Sequence, residues 1–299
     1  NVRRCTLQPE EVASIFMEYL RRKRVFGLFL SSAVINNPDY TMDKINAVAR
    51  LIRNKHNFKG YIHLKIIPGA SDAAVEDSLS LASAVSLNIE TPGKKHFAVL
   101  SNRKDYIRDI IHPLNLLSKL TAQGSRFSRV KCTTQFIVGA SDERDSEIIE
   151  YMSGLYNRLN IKRVYFSAYQ KGLGHPDIPG ERKFFSNPGK IFMREHRLYQ
   201  VDFLIRRYGF TDGDILFDEC GNLRLDKDPK ETWADSHPEF YPVRLNTSDR
   251  EALLRVPGLG PYTVRRILKV RRYRKITRLD DLGIKGKRLE RVKRYVIFE

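Results

Sequence analysis

Gly258 and Gly260, one residue apart and followed by Pro261, sit between two helix-forming stretches in Asn246–Thr263, NTSDREALLRVPGLGPYT. Glycine adopts positive φ without strain and lets a phosphate approach the backbone closely. Asn246 or Ser248 is placed to cap the first helix, and Pro261 suits the first position of the second. The unpaired N–H groups at that second helix start, aided by the helix dipole, can then bind an anion. Leu279–Val296, LDDLGIKGKRLERVKRYV, repeats the scheme. Gly286 matches Gly260, Lys287-Arg288-Leu289 match Pro261-Tyr262-Thr263, and the repeat departs from the pattern at Ile284, where the first turn has Gly258. One isolated Gly-x-Gly-Pro could equally be an ordinary tight turn, and charge decides between the two readings. Residues 243–299 hold 17 Lys and Arg against 6 Asp and Glu, a net of +11, whereas the other 242 residues hold 36 against 29, a net of +7. Cationic groups so concentrated around two phosphate-sized turns are the footprint of a nucleic-acid binder.

The turns resemble the helix-hairpin-helix motif of DNA-binding proteins, and the linked pair resembles the double module of DNA repair and DNA uptake proteins. The resemblance implies grip on the sugar-phosphate backbone without base reading. Carried onto this chain, it points to Pro257, Gly258, Leu259, Gly260, Tyr262, Thr263, Arg265, Arg266, Gly286 and Lys287 as DNA contacts.

The preceding residues must supply whatever chemistry is delivered there. Short apolar runs alternate with amphipathic stretches. Strands are expected over Val25–Ser32, Tyr61–Pro68, Val85–Thr91, Thr133–Gly139 and Arg163–Tyr169. Helices are expected from Pro9, over Met42–Lys55, Asp72–Ala84, about Asp105 to Leu120, and Glu143–Leu159. Such strand–helix units imply a parallel sheet covered by helices, open or closed. Alternation along the strands sets Ile62, Leu64, Leu87, Ile89, Phe136 and Phe166 against His63, Lys65, Ser86, Asn88, Glu90, Gln135 and Tyr165. A doubly wound sheet is apolar on both faces. Polar residues on one face of successive strands instead suit a barrel with a hydrated interior, whose chemistry collects at the C-terminal strand ends.

At those ends the chain resembles radical S-adenosylmethionine enzymes, and more narrowly the DNA modification or repair members that carry a C-terminal helix-hairpin-helix region. The markers are the opening Thr6–Glu11, FLSSAV, SLNIETP, TTQFIVGASDE, MREHRLYQVDFLIRRYGF and LLRVPGLGP, in that order along essentially the whole chain. The resemblance implies a partial (βα)6 barrel lacking its first strand over residues 1–180, a connecting helix and linker over 181–242, and a small all-α helix-hairpin-helix domain over 243–299. It implies S-adenosylmethionine and a 4Fe-4S cluster as cofactors. The cluster normally sits on a CxxxCxxC loop that this chain lacks, so its ligands are expected upstream of Asn1. Reductive cleavage of the cofactor would then generate a radical that abstracts a substrate hydrogen.

By resemblance, Ser31 and Ser32 meet the methionyl amino group, replacing a Gly-Gly-Glu type of turn. Asn88 and Glu90 meet the ribose hydroxyls and carboxylate. Gln135, Ile137 and Gly139 lie beside the adenine, and the backbone of Tyr169 reads its edge. His63 and Lys65 are the interior groups most available to substrate. The implied partners are DNA, an electron donor and a DNA repair protein. The alternatives are a DNA-binding protein whose barrel has lost its chemistry, and an RNA-modifying enzyme of the same kind.

Composition is compatible with these readings. Hydrophobic residues at 41% and charged residues at 29% are ordinary for a soluble globular chain. No apolar run approaches the span of a bilayer. Three scattered cysteines, Cys5, Cys132 and Cys220, argue against a disulfide framework and for a reducing cytoplasm. They and the seven histidines show no zinc spacing. Ile191–Tyr208 is expected to form an amphipathic helix burying Phe192, Leu198, Val201, Leu204 and Ile205, and Asp226–Tyr241 to form a folded-back linker.

Overall fold

The computed structural model describes residues 5–172, 174–182 and 189–299. Its chain forms two compact units, Asn1–Glu143 with Gly154–Lys183, and Arg144–Ser153 with Phe184–Glu299.

The first unit is α/β. In chain order it contains α1 (Pro9–Arg21), β1 (Gly27–Leu30), α2 (Pro38–Arg50), β2 (Tyr61–Lys65), α3 (Asp72–Leu81), β3 (Ala84–Ser86), α4 (Lys94–Leu100), α5 (His112–Leu120) and β4 (Lys131–Val138). There follow α6 (Asp145–Leu159), whose residues up to Ser153 belong to the second unit, β5 (Arg163–Ala168) and α7 (Pro179–Arg182). Helix starts are set by local chemistry. Pro9 opens α1 while the Gln8 N–H donates to Glu11 Oε2 at 2.6 Å. Asn37 Oδ1 accepts from the Tyr40 N–H ahead of α2, and Ser71 Oγ accepts from the Ala74 N–H ahead of α3.

The five strands pair in parallel in the order β1-β2-β3-β4-β5. Gly27 is opposite Tyr61, His63 opposite Ala84, Ala84 opposite Lys131, and Thr133 opposite Arg163. This register puts Ile62, Leu64, Val85, Leu87, Phe136, Val138, Val164 and Phe166 in the core. Expected strand ends are trimmed: β3 stops at Ser86, and Glu90 regains the sheet only through a single bridge to Phe136. Helix α4 was not foreshadowed by the sequence pattern.

The second unit continues with α8 (Gly189–Tyr208), α9 (Pro229–Ser236), β6 (Val243–Arg244), α10 (Arg250–Arg255), α11 (Pro261–Val270), α12 (Gly286–Lys293) and β7 (Val296–Ile297). Helix α8 buries Ile191, Leu198, Val201 and Leu204, but Phe192 stays 55% exposed, contrary to its expected packing. The presumed linker contains α9, which Asp228 caps through the Lys230 N–H at 2.9 Å. Trp233 on α9 stacks on His237 at 4.1 Å and meets Phe210 and Phe240 edge-on. Residues 243–299 are not all-α, because β6 and β7 pair in parallel through Val243–Val296 and Arg244–Ile297. Asn246 closes that segment and does not cap α10: its Nδ2 donates to the carbonyls of Ile276 and Phe298, and its Oδ1 accepts from the Ile276 N–H. The cap of α10 is Asp249, which accepts from Ala252 at 2.7 Å.

Candidate functional site

The second face of the sheet is polar. Phe29 on β1, His63 and Lys65 on β2, Ser86 and Asn88 on and after β3, Gln135 on β4 and Tyr165 on β5 line one cavity of about 280 Å³. β1 and β5 are the two edges of the sheet, four strand spacings apart, or roughly 19 Å across a flat sheet. Side chains from both edges reach one small cavity only if this face is concave.

Among the described residues, His63 Nε2, Ser86 Oγ and Glu90 Oε2 are buried on this face with no hydrogen-bond partner. Such orphans are rare in native folds. Burial, reinforced by the nearby Lys65 charge, pushes the His63 imidazole down to about 4, so it is neutral at pH 7. Burial also raises the Glu90 carboxyl, opposed by Lys65, Lys104 and a hydrogen bond from Asn88. Lys65 is lowered by burial and donates to Asn88 Oδ1. Glu90 adopts φ 66°, a left-handed conformation costly for a side-chain-bearing residue. Its backbone is clamped there, with its N–H donating to Gln135 O at 3.0 Å and its carbonyl accepting from Ile137 at 2.8 Å.

The expected cofactor residues fall into three places. Asn88, Glu90, Gln135 and Ile137 gather on the concave face and at its upper edge. Gly139 and Tyr169 belong to loops organised by two carboxylates. Glu143 accepts from the Gly139 and Ser141 N–H groups at 2.6 and 3.0 Å. Glu181 accepts from the Tyr169 hydroxyl at 2.7 Å and from the Gly172 and Gly174 N–H groups. Burial and this carboxylate push the Tyr169 phenol up to about 12. Ser31 and Ser32 line a different cavity, of about 440 Å³, with Cys5–Pro9, Tyr40 and Lys44. Sequence reasoning placed Glu143 only at a strand end and helix start and did not single out Glu181, although the glycines before each carry backbone N–H groups that need an acceptor.

Cys5 and Cys220 are exposed, and Cys132 is buried against Thr121 Oγ1 at 3.5 Å. Among the described residues no three His, Cys, Asp or Glu side chains converge to hold a metal. Cys5, Cys132 and Cys220 do not come together as a ligand set for an iron–sulfur cluster. Glu90 does fit a ligand bearing hydroxyl donors, since its Oε2 is buried and unsatisfied.

The second candidate region is the glycine turns. Backbone conformation gives them a register one residue away from the simplest sequence alignment. Gly258 (φ 86°) matches Gly283 (φ 70°), both left-handed. Leu259 matches Ile284, both buried. Gly260 matches Lys285, both extended residues preceding a helix, with φ −110° and −137°. Pro261 then matches Gly286. Ile284 is thus the counterpart of Leu259 and does not replace Gly258, and Gly286 opens α12 instead of standing in for Gly260.

Helices α9 and α10 carry Asp caps, whereas α11 and α12 have no side-chain cap. Their first N–H groups are therefore left for an outside acceptor. Tyr262 is 78% exposed, and Arg265, Arg266, Gly286 and Lys287 are exposed too. Pro257, Leu259 and Thr263 are buried, and the Thr263 hydroxyl accepts from Arg288 Nη2 at 2.5 Å, so these three shape the turn from inside.

Each turn is braced by an arginine from the other turn's helix. Arg288 on α12 donates to Gly258 O at 2.7 Å, and Arg266 on α11 donates to Asp281 O at 3.0 Å. The first turn has a further brace that the sequence did not reveal. Lys230, almost wholly buried, donates to Leu259 O at 2.6 Å and lies 4.6 Å over the Tyr208 ring. Burial, opposed by Asp228 and reinforced by Arg288 and Arg255, lowers its ammonium to about 7.

No protein-family model and no curated protein matches this chain. No helix among the described residues is long and apolar enough to cross a membrane.

Proposed function

We propose that this chain is a nucleic-acid-directed enzyme of the radical S-adenosylmethionine type, in which the turn-bearing unit grips the DNA backbone and the concave sheet face carries the reacting site. The observation that carries the reading is the matched pair of turns. Both place a left-handed glycine, a buried aliphatic residue and an uncapped helix start in series, within the most basic part of the chain. Anions bind where free N–H groups and the helix dipole coincide. Carbonyls of the first turn are already occupied by Arg288 and Lys230, so its remaining hydrogen-bonding capacity is donor-rich.

The concave polar face supports a partial barrel. It also supports Glu90 as the residue that would hold the ribose hydroxyls of S-adenosylmethionine, with Asn88 orienting the carboxylate. When bound and activated, that cofactor would supply hydrogen-atom abstraction. The chain's own residues would bind, orient and exclude water: Lys65 offsets the Glu90 charge, and neutral His63 lines the interior without adding a cation. A helix-hairpin-helix assignment for residues 243–299 and a role in DNA modification or repair belong to the same proposal.

Fluorescence anisotropy of a labelled duplex tests it. Wild-type chain should bind with affinity that falls steeply with salt. Combined Gly258→Ala and Gly283→Ala should remove most of that binding. Calorimetry with S-adenosylmethionine should show weaker binding for Glu90→Ala. Salt-insensitive DNA binding, or unchanged cofactor affinity, would overturn the corresponding half, and tighter binding of RNA than of DNA of equal length would favour the RNA-directed alternative.

A further inference from the structure

We propose that the concave face of the sheet is a pocket for one unpaired nucleobase, its aromatic edges contacting the base and its polar floor reading the base's hydrogen-bonding edge. This rests on the reading of the chain as acting on nucleic acid, and it names what part of the nucleic acid enters the sheet unit. The cavity of about 280 Å³ joins both edges of the sheet. From β1 it takes Phe29, which is 59% exposed and meets the His63 ring edge-on at 4.8 Å. From β5 it takes Tyr165, which is 38% exposed with the Arg163 guanidinium 5.0 Å from its ring. Exposed aromatic rings on a concave surface are platforms for flat ligands, and base stacking is the commonest use of such platforms in nucleic-acid proteins.

The floor between them has unspent hydrogen-bonding capacity of both signs. Ser86 is only 6% exposed and its hydroxyl, able to donate and accept, is unpartnered. His63 Nε2 is buried and unpartnered on a ring that is neutral at pH 7, while its Nδ1 lies 3.4 Å from the Tyr61 hydroxyl. The half-buried Gln135 presents an amide with both a donor and an acceptor. Lys65 is the one ammonium lining the cavity among the described residues, and it is engaged by Asn88 Oδ1 and offset by Glu90. A phosphate would call for free cationic donors, so the floor is suited to a neutral ligand with alternating donors and acceptors. A base meets that description once it has left the stack, because its edge and both its faces are then open.

Titration of the full chain with thymidine, deoxycytidine, deoxyadenosine and deoxyguanosine tests the proposal, with deoxyribose 5-phosphate as the probe that lacks a base. At least one nucleoside should bind saturably, and the sugar phosphate should not compete. Phe29→Ala, at an exposed position that leaves the core intact, should weaken nucleoside binding by about tenfold, as expected for loss of one stacking contact. Ser86→Ala should weaken it and change the preference among bases. Both variants should bind S-adenosylhomocysteine as wild type does, which separates this pocket from any cofactor adenine site. Absence of binding by all four nucleosides, equal competition by the sugar phosphate, displacement by S-adenosylhomocysteine, or unchanged affinity in both variants would overturn the pocket. Failure of wild-type chain to bind duplex DNA while a nucleoside still binds would instead overturn the functional reading and leave the pocket standing.

Discussion

The two glycine turns share a left-handed glycine and an extended residue before the helix, part at the next position, where Gly286 has φ 59° and the first turn has Pro261, and differ in what stands behind them. The first is half-buried: a Cβ placed on Gly258 would lie 2.8 Å from Val292 Cγ2, and its carbonyls face Arg288 and Lys230. The second is exposed from Gly283 through Arg288 apart from buried Ile284, and a Cβ on Gly286 would meet nothing within 4 Å. Similar dihedrals have therefore been reached by different means, tight packing in one case and local conformational preference in the other. The first turn is thus a packed structural joint as well as a candidate contact, while the second, braced by Arg266 at the Asp281 carbonyl, is the more open of the two.

Substitutions should expose that asymmetry. Gly258→Ala carries the left-handed penalty, roughly 1–2 kcal/mol, plus overpacking against Val292 of about 1–3 kcal/mol. It should lower the thermal midpoint of the second unit clearly, as read by circular dichroism. Gly283→Ala meets only the movable end of Arg266, at 3.2 Å, and should cost about 1–2 kcal/mol from backbone strain alone. Equal destabilisation by the two would dissolve the comparison.

Lys230→Met gives a sharper test because it removes the buried brace behind the first turn. Lowering of the ammonium to about 7 means that the native state binds fewer protons than the unfolded chain between about pH 7 and the ordinary lysine value of 10.5. Stability should therefore rise with pH through that window. Urea unfolding at pH 7 and pH 10 should show the rise in wild type and lose it in Lys230→Met. The smallest effect is expected at Lys287, exposed beside the second turn. Lys287→Ala should leave stability unchanged and reduce the salt dependence of DNA binding by the equivalent of about one phosphate contact.

The sheet unit offers an analogous pH test of the same sign in a lower window. His63 is held at about 4, below its ordinary 6.5, so the unfolded chain binds more protons between those values. Stability should fall as pH drops from 6.5 toward 4, and His63→Gln should flatten that loss.

Much of the sheet was legible from the strands themselves. Alternation in YIHLK placed Ile62 and Leu64 in the core and His63 and Lys65 on the other face, because successive side chains of a strand must point to opposite sides. The turns were legible as Gly-x-Gly between helices, but their pairing was off by one, since spacing cannot say which glycine is left-handed. Helix α9 was hidden by the prolines around it, and Asn246 or Ser248 was expected to cap α10 where Asp249 does, because these polar side chains cap and bridge with the same atoms.

The α/β alternation, the polar strand face and the basic, glycine-punctuated tail follow from local periodicity, charge and backbone freedom, and so stand in the residue order alone. Tertiary structure decided that residues from both sheet edges share one cavity, that Glu90 is forced left-handed, and that Lys230 reaches Leu259 O across 29 positions of chain. Those depend on contacts between segments distant in sequence, where burial and close approach set the charge state of a group and the partner it meets.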